Sequence, residues 1–472
     1  MTFLIGGANS ITGGYEVANS CRFNTGDSPD HRRTFGSAGN RDKWTFSTWV
    51  KKCRDGVGRQ AIFSGYNDSN NFTEIRFENT EQFHIRNMTA GSLDGELKTN
   101  AKYRDPSAWM HILFHYDSGN GTEGDRMKLW VNGTEVTSFA TDDAPDQNTN
   151  ASINGAFLHT VGQLGNDGNY LNGYLAEVVF LNDDLVATTS FGEFDEDSPT
   201  IWKPINVSGL TPGTNGFYLD FEASGNLGND AFGGTDWTET NIAAGDQSQD
   251  SPTNNFCTIN PLDTAVGTFD ISEGNLKYER TSDTESWKSA RGTLGIPNAG
   301  KWYWEMAKVG GAVDGGFGGI ATDVADLTQE VTGFWGFHDG ADGSNYTIFN
   351  SGYTDVGSSY NISDDDIIQI AFDRDNNKLW VGLNNSWGVN GGTPVTPSDP
   401  ASGFLSISEN MLPAFMIRGT SQNVANFGQD SSFAGNITRQ SNSDGNGYGD
   451  FYYTPPSGYL ALCTKNIGSD GG

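Results

Sequence analysis

The sequence predicts an all-β chain that folds as two antiparallel β-sandwich (jelly-roll) domains in series. At 472 residues the chain is too long for one ordinary hydrophobic core. It contains 62 Gly, 29 Phe, 16 Tyr and 12 Trp, a composition that suits half-buried sheet surfaces joined by tight turns. Short apolar–polar alternations recur along it, whereas no amphipathic helix longer than about two turns is indicated.

The best-defined strands form a hairpin in the second half of the chain, at residues 366–383. Alternate residues from Ile368 to Phe372 are apolar, a polar turn follows, and alternate residues from Leu379 to Leu383 are apolar again. This alternation fixes the register, because a slip of one residue would send every apolar side chain to solvent.

The tetrapeptide Lys-Leu-Trp-Val of this hairpin, at 378–381, also occurs at 128–131 in the first half. There it follows the alternating segment 109–116 and runs into an Asn132-Gly133 turn. The surrounding motifs and the lengths of the turns differ between the two halves. We therefore interpret the repeated tetrapeptide as a strand sequence that two different folds share, and not as evidence of a duplicated domain.

The charge balance excludes several classes of partner. The chain has 28 Lys and Arg against 59 Asp and Glu, which gives a formal charge of −31. This charge disfavours nucleic acid and anionic membranes as partners.

No apolar run approaches the ~18 residues of a membrane span, and the N-terminus lacks the pattern of a signal peptide. The four widely spaced cysteines are predicted to be reduced structural thiols.

Strand patterns recur at near-regular spacing through the first half. They lie at 44–50, 61–63, 72–77, 82–86, 109–116, 127–131, 134–139, 157–162 and 173–181. The series Trp44-Thr-Phe-Ser-Thr-Trp-Val-Lys51, Ala108-Trp-Met-His-Ile-Leu-Phe114, Lys128-Leu-Trp-Val-Asn-Gly133 and Gly173-Tyr-Leu-Ala-Glu-Val178 resembles the concanavalin A-like lectin/glucanase superfamily, laminin-G-like branch. The resemblance implies a sandwich over residues 21–222.

The second half resembles a different family, the SPRY (B30.2-like) domain. Its motifs come in the order Gly300-Lys-Trp-Tyr-Trp-Glu-Met306, Gly316-Phe-Gly-Gly-Ile-Ala321, the hairpin, Leu412-Pro-Ala-Phe-Met-Ile417 and Asn426-Phe-Gly-Gln429. The resemblance implies a sandwich over 267–464 that binds partners through its loops and carries no catalytic motif. Residues 1–20 are then an N-terminal arm, 223–266 a polar linker, and 465–472 a C-terminal tail.

The pairing of these two domains resembles structural proteins of tailed bacteriophages. The phrases Phe191-Gly-Glu-Phe-Asp-Glu-Asp197, Asp250-Ser-Pro-Thr-Asn-Asn-Phe256 and Tyr453-Thr-Pro-Pro-Ser-Gly-Tyr459 contribute to this resemblance. It implies a non-enzymatic virion component, such as a tail fibre, spike or decoration protein, assembled in the host cytoplasm. The implied partners are a host-surface glycan or protein and other virion proteins, with a homotrimer as the expected oligomer.

Two alternatives stay open: an architectural virion subunit without a receptor, and a glycan-cleaving depolymerase. Glucanases of this fold use a Glu-x-Asp-x-x-Glu strand, which Glu193-Phe-Asp195 begins. The final acid is replaced by Ser198, and Pro199 follows, so we expect solvated loop acids instead of a catalytic pair. His111 and His115 are spaced too far apart on a strand to share a metal ion, and we expect them to be structural.

Calcium is the candidate cofactor. Asp167, Asp183 and Asp195 lie in polar loops that offer hard oxygen ligands, and laminin-G-like folds often bind the ion at a sandwich rim. Asp and Asn in turns usually need no ion, so the competing expectation is that there is no cofactor.

Glycan recognition would use exposed aromatic side chains beside Asn and Asp, because aromatic rings stack on sugar faces. Core and inter-loop packing is the competing role for such rings, and it is the one that we favour. The candidate ligand-binding residues are Trp335, His338, Tyr346, Tyr353 and Trp387 in the second domain, with Tyr66 and Tyr170 in the first.

Overall fold

The chain forms two compact β-sheet units that divide between Thr253 and Asn254. The structure is a computed structural model, and it describes residues 14–53, 58–265, 270–280, 287–311, 316–328, 333–339, 345–349, 353–355, 362–390, 393–403, 407 and 410–470. Strands dominate both units, so the all-β prediction is confirmed. No helix within the described ranges is long and apolar enough to cross a bilayer.

The strands of the first unit are β1 Ser20–Phe23, β2 Asp30–Thr34, β3 Lys43–Lys52, β4 Gln60–Asp68, β5 Asn71–Phe77, β6 Gln82–Thr89, β7 Ser92–Lys102, β8 Met110–Asp117, β9 Met127–Val131, β10 Thr134–Glu135, β11 Phe139–Asp143, β12 Leu158–Val161, β13 Gly173–Asn182, β14 Gly192–Phe194, β15 Trp202–Pro204, β16 Phe217–Leu219, β17 Thr238–Thr240 and β18 Gln247–Ser248. Single 3-10 turns occupy Thr25–Asp27, Glu123–Asp125, Thr188–Ser190 and Ala244–Asp246.

These strands build two antiparallel sheets around one core. The first sheet has the order β10-β9-β8-β3-β13-β1-β18, with β16 also paired to β13. The second sheet has the order β11-β7-β6-β5-β4-β12-β2-β17. Phe46 of the first sheet stacks on Phe63 of the second, with ring centroids 4.9 Å apart, as expected for facing sheets that interdigitate. The predicted Asn132-Gly133 turn joins β9 and β10, and both residues have positive φ.

The outer face of the first sheet is covered by other parts of the same unit. Trp202, from the β14–β15 hairpin, packs with Trp49 and Trp109 in one buried cluster. Val17 of the N-terminal segment belongs to the same cluster. Residues 1–13 of the predicted arm lie outside the described residues, but the arm is packed against the sheet by Tyr15 and Val17.

A buried ion pair joins the end of the first unit to the first sheet. Lys51 Nζ lies 2.7 Å from Asp250 Oδ2, with both side chains fully buried, and Trp109 Nε1 donates to Asp250 Oδ1 at 2.8 Å. A buried carboxylate requires such partners, because removing either charge would leave the other unpaired in a low-dielectric interior.

The predicted linker, residues 223–266, is instead part of both units. Trp237 is buried in the first core, and β17 and β18 extend the edges of the two sheets. Residues from Asn254 onward belong to the second unit, where the first strand begins at Ile259. The linker prediction was wrong because short strands of two or three residues carry too little alternation to be recognised.

A buried carboxyl group lies at a bulge in β13. The register shifts between Ala176 and Val179, and Glu177 adopts φ 51°, in the left-handed region that non-glycine residues seldom occupy. Tyr218 Oη donates to the Glu177 carboxylate at 2.7 Å and Tyr15 Oη at 3.2 Å. Burial raises the pKa of Glu177 to about 7, and the neighbouring Asp220 and Glu222 add to this rise.

We expect Glu177 to make the first unit less stable as the pH rises. The folded state holds a proton on Glu177 up to about pH 7, whereas the ordinary pKa is 4.5, so the stabilisation is complete below pH 4.5 and is lost through pH 7. The loss amounts to about 3 kcal/mol. Urea unfolding between pH 5 and 8 should show this slope, and Glu177→Gln, which mimics the protonated group, should flatten it. Equal slopes in both proteins would contradict the assignment, and Glu135→Gln, on the exposed strand β10, is the control.

The strands of the second unit are β19 Ile259–Thr264, β20 Asp270–Ser272, β21 Lys277–Glu279, β22 Lys288–Gly292, β23 Lys301–Gly310, β24 Gly316–Thr322, β25 Phe334–Asp339, β26 Asn345–Phe349, β27 Tyr353–Asp355, β28 Ile367–Asp373, β29 Lys378–Leu383, β30 Ser386–Trp387, β31 Val389–Asn390, β32 Thr393–Pro394, β33 Met411–Ile417, β34 Gln422–Asn426 and β35 Leu460–Ala461. A 3-10 turn lies at Pro400–Ser402, and helix α1 spans Thr464–Asp470.

These strands also form two facing sheets. One has the order β19-β22-β33-β24-β25-β26-β27 and the other β20-β21-β34-β23-β28-β29-β30, with β35 parallel to β23. The predicted hairpin is β28–β29, in the register Ile370 to Val381. Trp380, on the opposite side of its strand from Leu379 and Val381, is also buried, so both faces of this hairpin are covered.

Polar groups inside the second unit are held by dedicated partners. The fully buried carboxylate of Glu305 accepts hydrogen bonds from the backbone N–H groups of Tyr452 and Tyr453, both at 2.7 Å, and from Tyr303 Oη at 2.9 Å. Helix α1 buries Ile467, so the predicted tail is packed as far as that residue. All four cysteines are free and buried, which confirms the prediction of reduced structural thiols.

Candidate functional site

The outer face of the second sheet in the first unit carries a patterned set of side chains. In β5 the core takes Ile75 and Phe77, and strand alternation therefore turns Phe72, Glu74 and Arg76 to the other face. In β6, where the core takes Phe83 and Ile85, the side chains of the intervening residues likewise point outward.

An apolar row crosses this face at one level. Tyr66 of β4 pairs with Phe72 of β5, Phe72 with Met88 of β6, and Met88 with Leu93 of β7. The ring centroids of Tyr66 and Phe72 are 6.1 Å apart. Leu93 is 43% exposed, Tyr66 and Met88 are half-buried, and Phe72 forms the floor. The row, defined as these four residues, is a partly exposed apolar strip.

A charge network lies directly beside the apolar row. It consists of Arg59, Glu74, Arg76, Glu78, His84, Arg86 and Glu96. Arg76 bridges the carboxylates of Glu74 and Glu78, and its Nε lies 3.1 Å from Glu78 Oε1.

The outer members of the network extend it to both sides. Arg86 Nε donates to Glu74 at 3.2 Å, and Arg59 Nε to Glu78 at 3.3 Å. His84 Nδ1 lies 2.6 Å from Glu78, and its Nε2 lies 2.7 Å from Glu96.

Both inner carboxylates are held by several protein partners. Burial would raise the pKa of Glu78, but hydrogen bonds from His84 and Arg76 outweigh it and hold that pKa well below its usual range. Glu74 is fully buried and is held by Arg76, Arg86 and the side-chain amide of Asn169. A glycosidase needs one protonated carboxyl group and one accessible carboxylate. Glu74 is 0% exposed and Glu78 is 6% exposed, so neither offers an accessible carboxylate for this chemistry.

A loop of residues 164–170 borders the site. Asn169 Nδ2 donates to Glu74 Oε1 at 2.8 Å, and a Cβ added to Gly165 would lie 2.6 Å from the Cβ of Tyr66. A glycine is therefore needed where the loop crosses the apolar row. Tyr170 lies in this loop half-buried, and burial raises its pKa. Of the sequence candidates, Tyr66 and Tyr170 are thus brought to the same side of the unit.

The candidates in the second unit have different surroundings. Trp335 is buried in the core of its sandwich, and Trp387 is half-buried against that core. The backbone positions of His338, Tyr346 and Tyr353 lie in strands β25, β26 and β27, but their side chains lie outside the described residues. The burial of Trp335 is consistent with core packing and not with stacking on a sugar.

The three calcium candidates have separate protein partners. Asp167 pairs with Arg32 at 3.4 Å, Asp183 accepts from Asn40 Nδ2 at 2.8 Å, and Asp195 accepts from the backbone of its own turn. Among the residues that the structure describes, no group of three or more His, Cys, Asp or Glu side chains is arranged to hold a metal ion. Calcium binding at these loops stays a prediction.

The other predicted polar residues have structural roles. Glu193 and Asp195 flank Lys203 at 3.3 and 3.4 Å, and Glu193 is exposed, as expected for solvated acids. His111 is buried between Ser47 and Trp202, and burial lowers its pKa to about 3. It is therefore neutral.

Comparison with known proteins supports the sequence interpretation of the first unit. Residues 26–189 match the family model of the Concanavalin A-like lectin/glucanases superfamily. This range contains the apolar row, the charge network and the loop 164–170. The laminin-G-like prediction is confirmed for this stretch. No curated protein matches the chain.

Solved structures similar to the chain include sandwiches of both predicted kinds. The SPRY domain of human HERC1 is 14% identical and covers 35% of this chain and 96% of its own, with a TM-score of 0.27. Mouse laminin alpha1 domains LG4-5 are 9% identical, with coverages of 88% and 90% and a TM-score of 0.29. A Bacteroides ovatus protein described as carbohydrate binding is 12% identical, with coverages of 48% and 59% and a TM-score of 0.32. At these TM-scores the likenesses carry no argument about function.

Sequence reasoning missed the charge network. The signal was present, because Glu74, Arg76, His84 and Arg86 all occupy the polar positions of alternating strands. Alternation alone does not say which strands are neighbours, so the pairing of Arg76 with His84 and of Glu74 with Arg86 could not be predicted.

Arg76 should be the residue on which the network depends. Arg76→Met leaves two buried carboxylates without their shared cation, and we expect a loss of about 3–5 kcal/mol in unfolding free energy at pH 7. The loss should shrink toward pH 4, because without Arg76 the pKa of Glu78 is no longer held as low and Glu78 can take up a proton. Urea unfolding at the two pH values measures this, with Arg418→Met in the second unit as the control. A loss independent of pH would contradict the role of Arg76 as counter-charge.

Proposed function

We propose that the chain is a non-enzymatic glycan-binding protein whose first unit binds saccharide on the outer face of the second sheet. The observation that carries the proposal is the adjacency of the apolar row and the charge network. Pyranose rings present apolar C–H faces and polar edges, and they need an apolar platform flanked by fixed hydrogen-bonding groups. The match of this unit to a superfamily named for lectins supports the same proposal.

Rigidity also favours binding on this face. Tyr66 on β4 and Met88 on β6 stand on strands that both pair with β5, and the polar groups are held by several partners each. Groups that are already ordered lose little conformational entropy when a ligand binds. Because Glu74 and Glu78 are both engaged by Arg76, this face favours binding over glycoside cleavage.

The biological setting is a second part of the proposal. From the order of the domain motifs, we infer a surface component of a tailed-phage virion, assembled as a homotrimer in the host cytoplasm. In that setting the saccharide would belong to the host surface. Mass spectrometry of purified particles, together with competition between the free protein and virions for host cells, tests this setting independently of the saccharide site.

We expect Leu93→Asp to weaken glycan binding at least about tenfold, because it places a charge in the exposed end of the apolar row. Binding of the whole chain to a panel of immobilised glycans measures the effect. Leu262→Asp is the matched control, since Leu262 is an exposed leucine in the second unit, at 63%.

Loss of binding with Leu93→Asp but not with Leu262→Asp supports the proposed face. Equal binding by both variants would move the site elsewhere, and the absence of binding to every glycan would contradict a glycan-binding function.

A further inference from the structure

Among the described residues, the solvent-facing part of the charge network is predominantly cationic. Glu74 is fully buried and Glu78 is 6% exposed, whereas the side chain of Arg59 is 52% exposed and that of Arg86 is 23% exposed. Glu96 is the acid that reaches the surface. This local sign is opposite to that of the whole chain, whose formal charge is −31.

Arg86 has the geometry of an anion-binding group. Its Nε donates to Glu74, and its guanidinium lies over the ring of Phe72, 4.8 Å from the centroid. Neither terminal amino group of Arg86 has a partner within the described parts of the chain. An arginine held at Nε and stacked on an aromatic ring keeps two parallel N–H donors in one orientation, which suits a carboxylate or sulfate group.

The surroundings of Arg86 also favour an added anion. Burial lowers the pKa of Arg86, and repulsion from the guanidinium of Arg76 lowers it further. An anion bound at Arg86 would relieve this repulsion. The nearest apolar surface is the row itself, because Phe72 is both the ring under Arg86 and the middle of the row.

We infer that the saccharide bound by this face carries an anionic group, either a carboxylate or a sulfate. The guanidinium group of Arg86 donates hydrogen bonds to this anion, and the sugar ring lies on the apolar row. The inference rests on the proposed glycan-binding function and names the class of its ligand. Arg59 lies on the same network and adds positive potential, so that the anion is drawn to this face despite the negative charge of the chain.

The test is binding of the whole chain to a panel of neutral, uronate-containing and sulfated oligosaccharides. We expect binding to be concentrated in the two anionic groups, and their comparison distinguishes carboxylate from sulfate. Arg86→Ala should weaken the binding of anionic saccharides at least about tenfold. Arg86→Lys keeps the positive charge but loses the two parallel N–H donors of the guanidinium group, so its affinity should lie between those of Arg86→Ala and the unchanged protein.

Arg418→Ala is the matched control, because Arg418 also lies over an aromatic ring, that of Trp287, in the second unit. Binding should also fall as salt rises from about 0.05 to 0.5 M, since the interaction is partly exposed. Unfolding midpoints of the variants would show whether any of them has lost its fold.

The outcomes separate this inference from the function on which it rests. Binding of neutral saccharides that is sensitive to Leu93→Asp but not to Arg86→Ala would overturn the anionic class and leave the glycan site in place. Binding to no member of the panel would overturn both. Binding of anionic saccharides that Arg86→Ala and Arg418→Ala weaken equally would overturn the role of Arg86.

Discussion

Strand alternation is the constraint on which the candidate site depends. A sandwich core accepts one side chain in two from each strand, so Ile75 and Phe77 enter it and the residues between them must face outward. On the first sheet the outer side chains are covered by the N-terminal segment and the β14–β15 hairpin. On the second sheet they form the apolar row and the charge network. The same alternation that builds the core therefore also builds the binding face.

The charge network fixes the orientation of its side chains and is not expected to add much to the free energy of unfolding. Buried ion pairs seldom stabilise a fold relative to well-packed apolar residues, but once present they strongly penalise the loss of one partner. Here Arg76 fixes Glu74 and Glu78, and Glu74 in turn fixes Arg86 at Nε. Arg86 is thus oriented before any ligand arrives, and a preorganised group gains affinity because little entropy is lost on binding.

Most of the fold could be predicted from the sequence, because the long strands alternate clearly. The hairpin 366–383 and the Asn132-Gly133 turn occur where they were expected. The segment 223–266 was misjudged, since Trp237 reaches the first core from a chain rich in Gly and Asn. Of the site, Tyr66 and Tyr170 were visible as aromatics near polar loops. The role of Arg86 in the site could not be predicted, because it depends on neighbours across the strands that a single sequence does not reveal.

The central claim, that saccharide lies on the outer face of the second sheet, is tested most directly by hydroxyl-radical footprinting of the whole chain. The best-binding saccharide of the panel would be added, and oxidation of individual side chains compared with and without it. The account predicts reduced oxidation of Tyr66, Met88 and Leu93, with half-buried Trp387 of the second unit unchanged. Protection confined to the second unit, with Met88 oxidised as before, would contradict it.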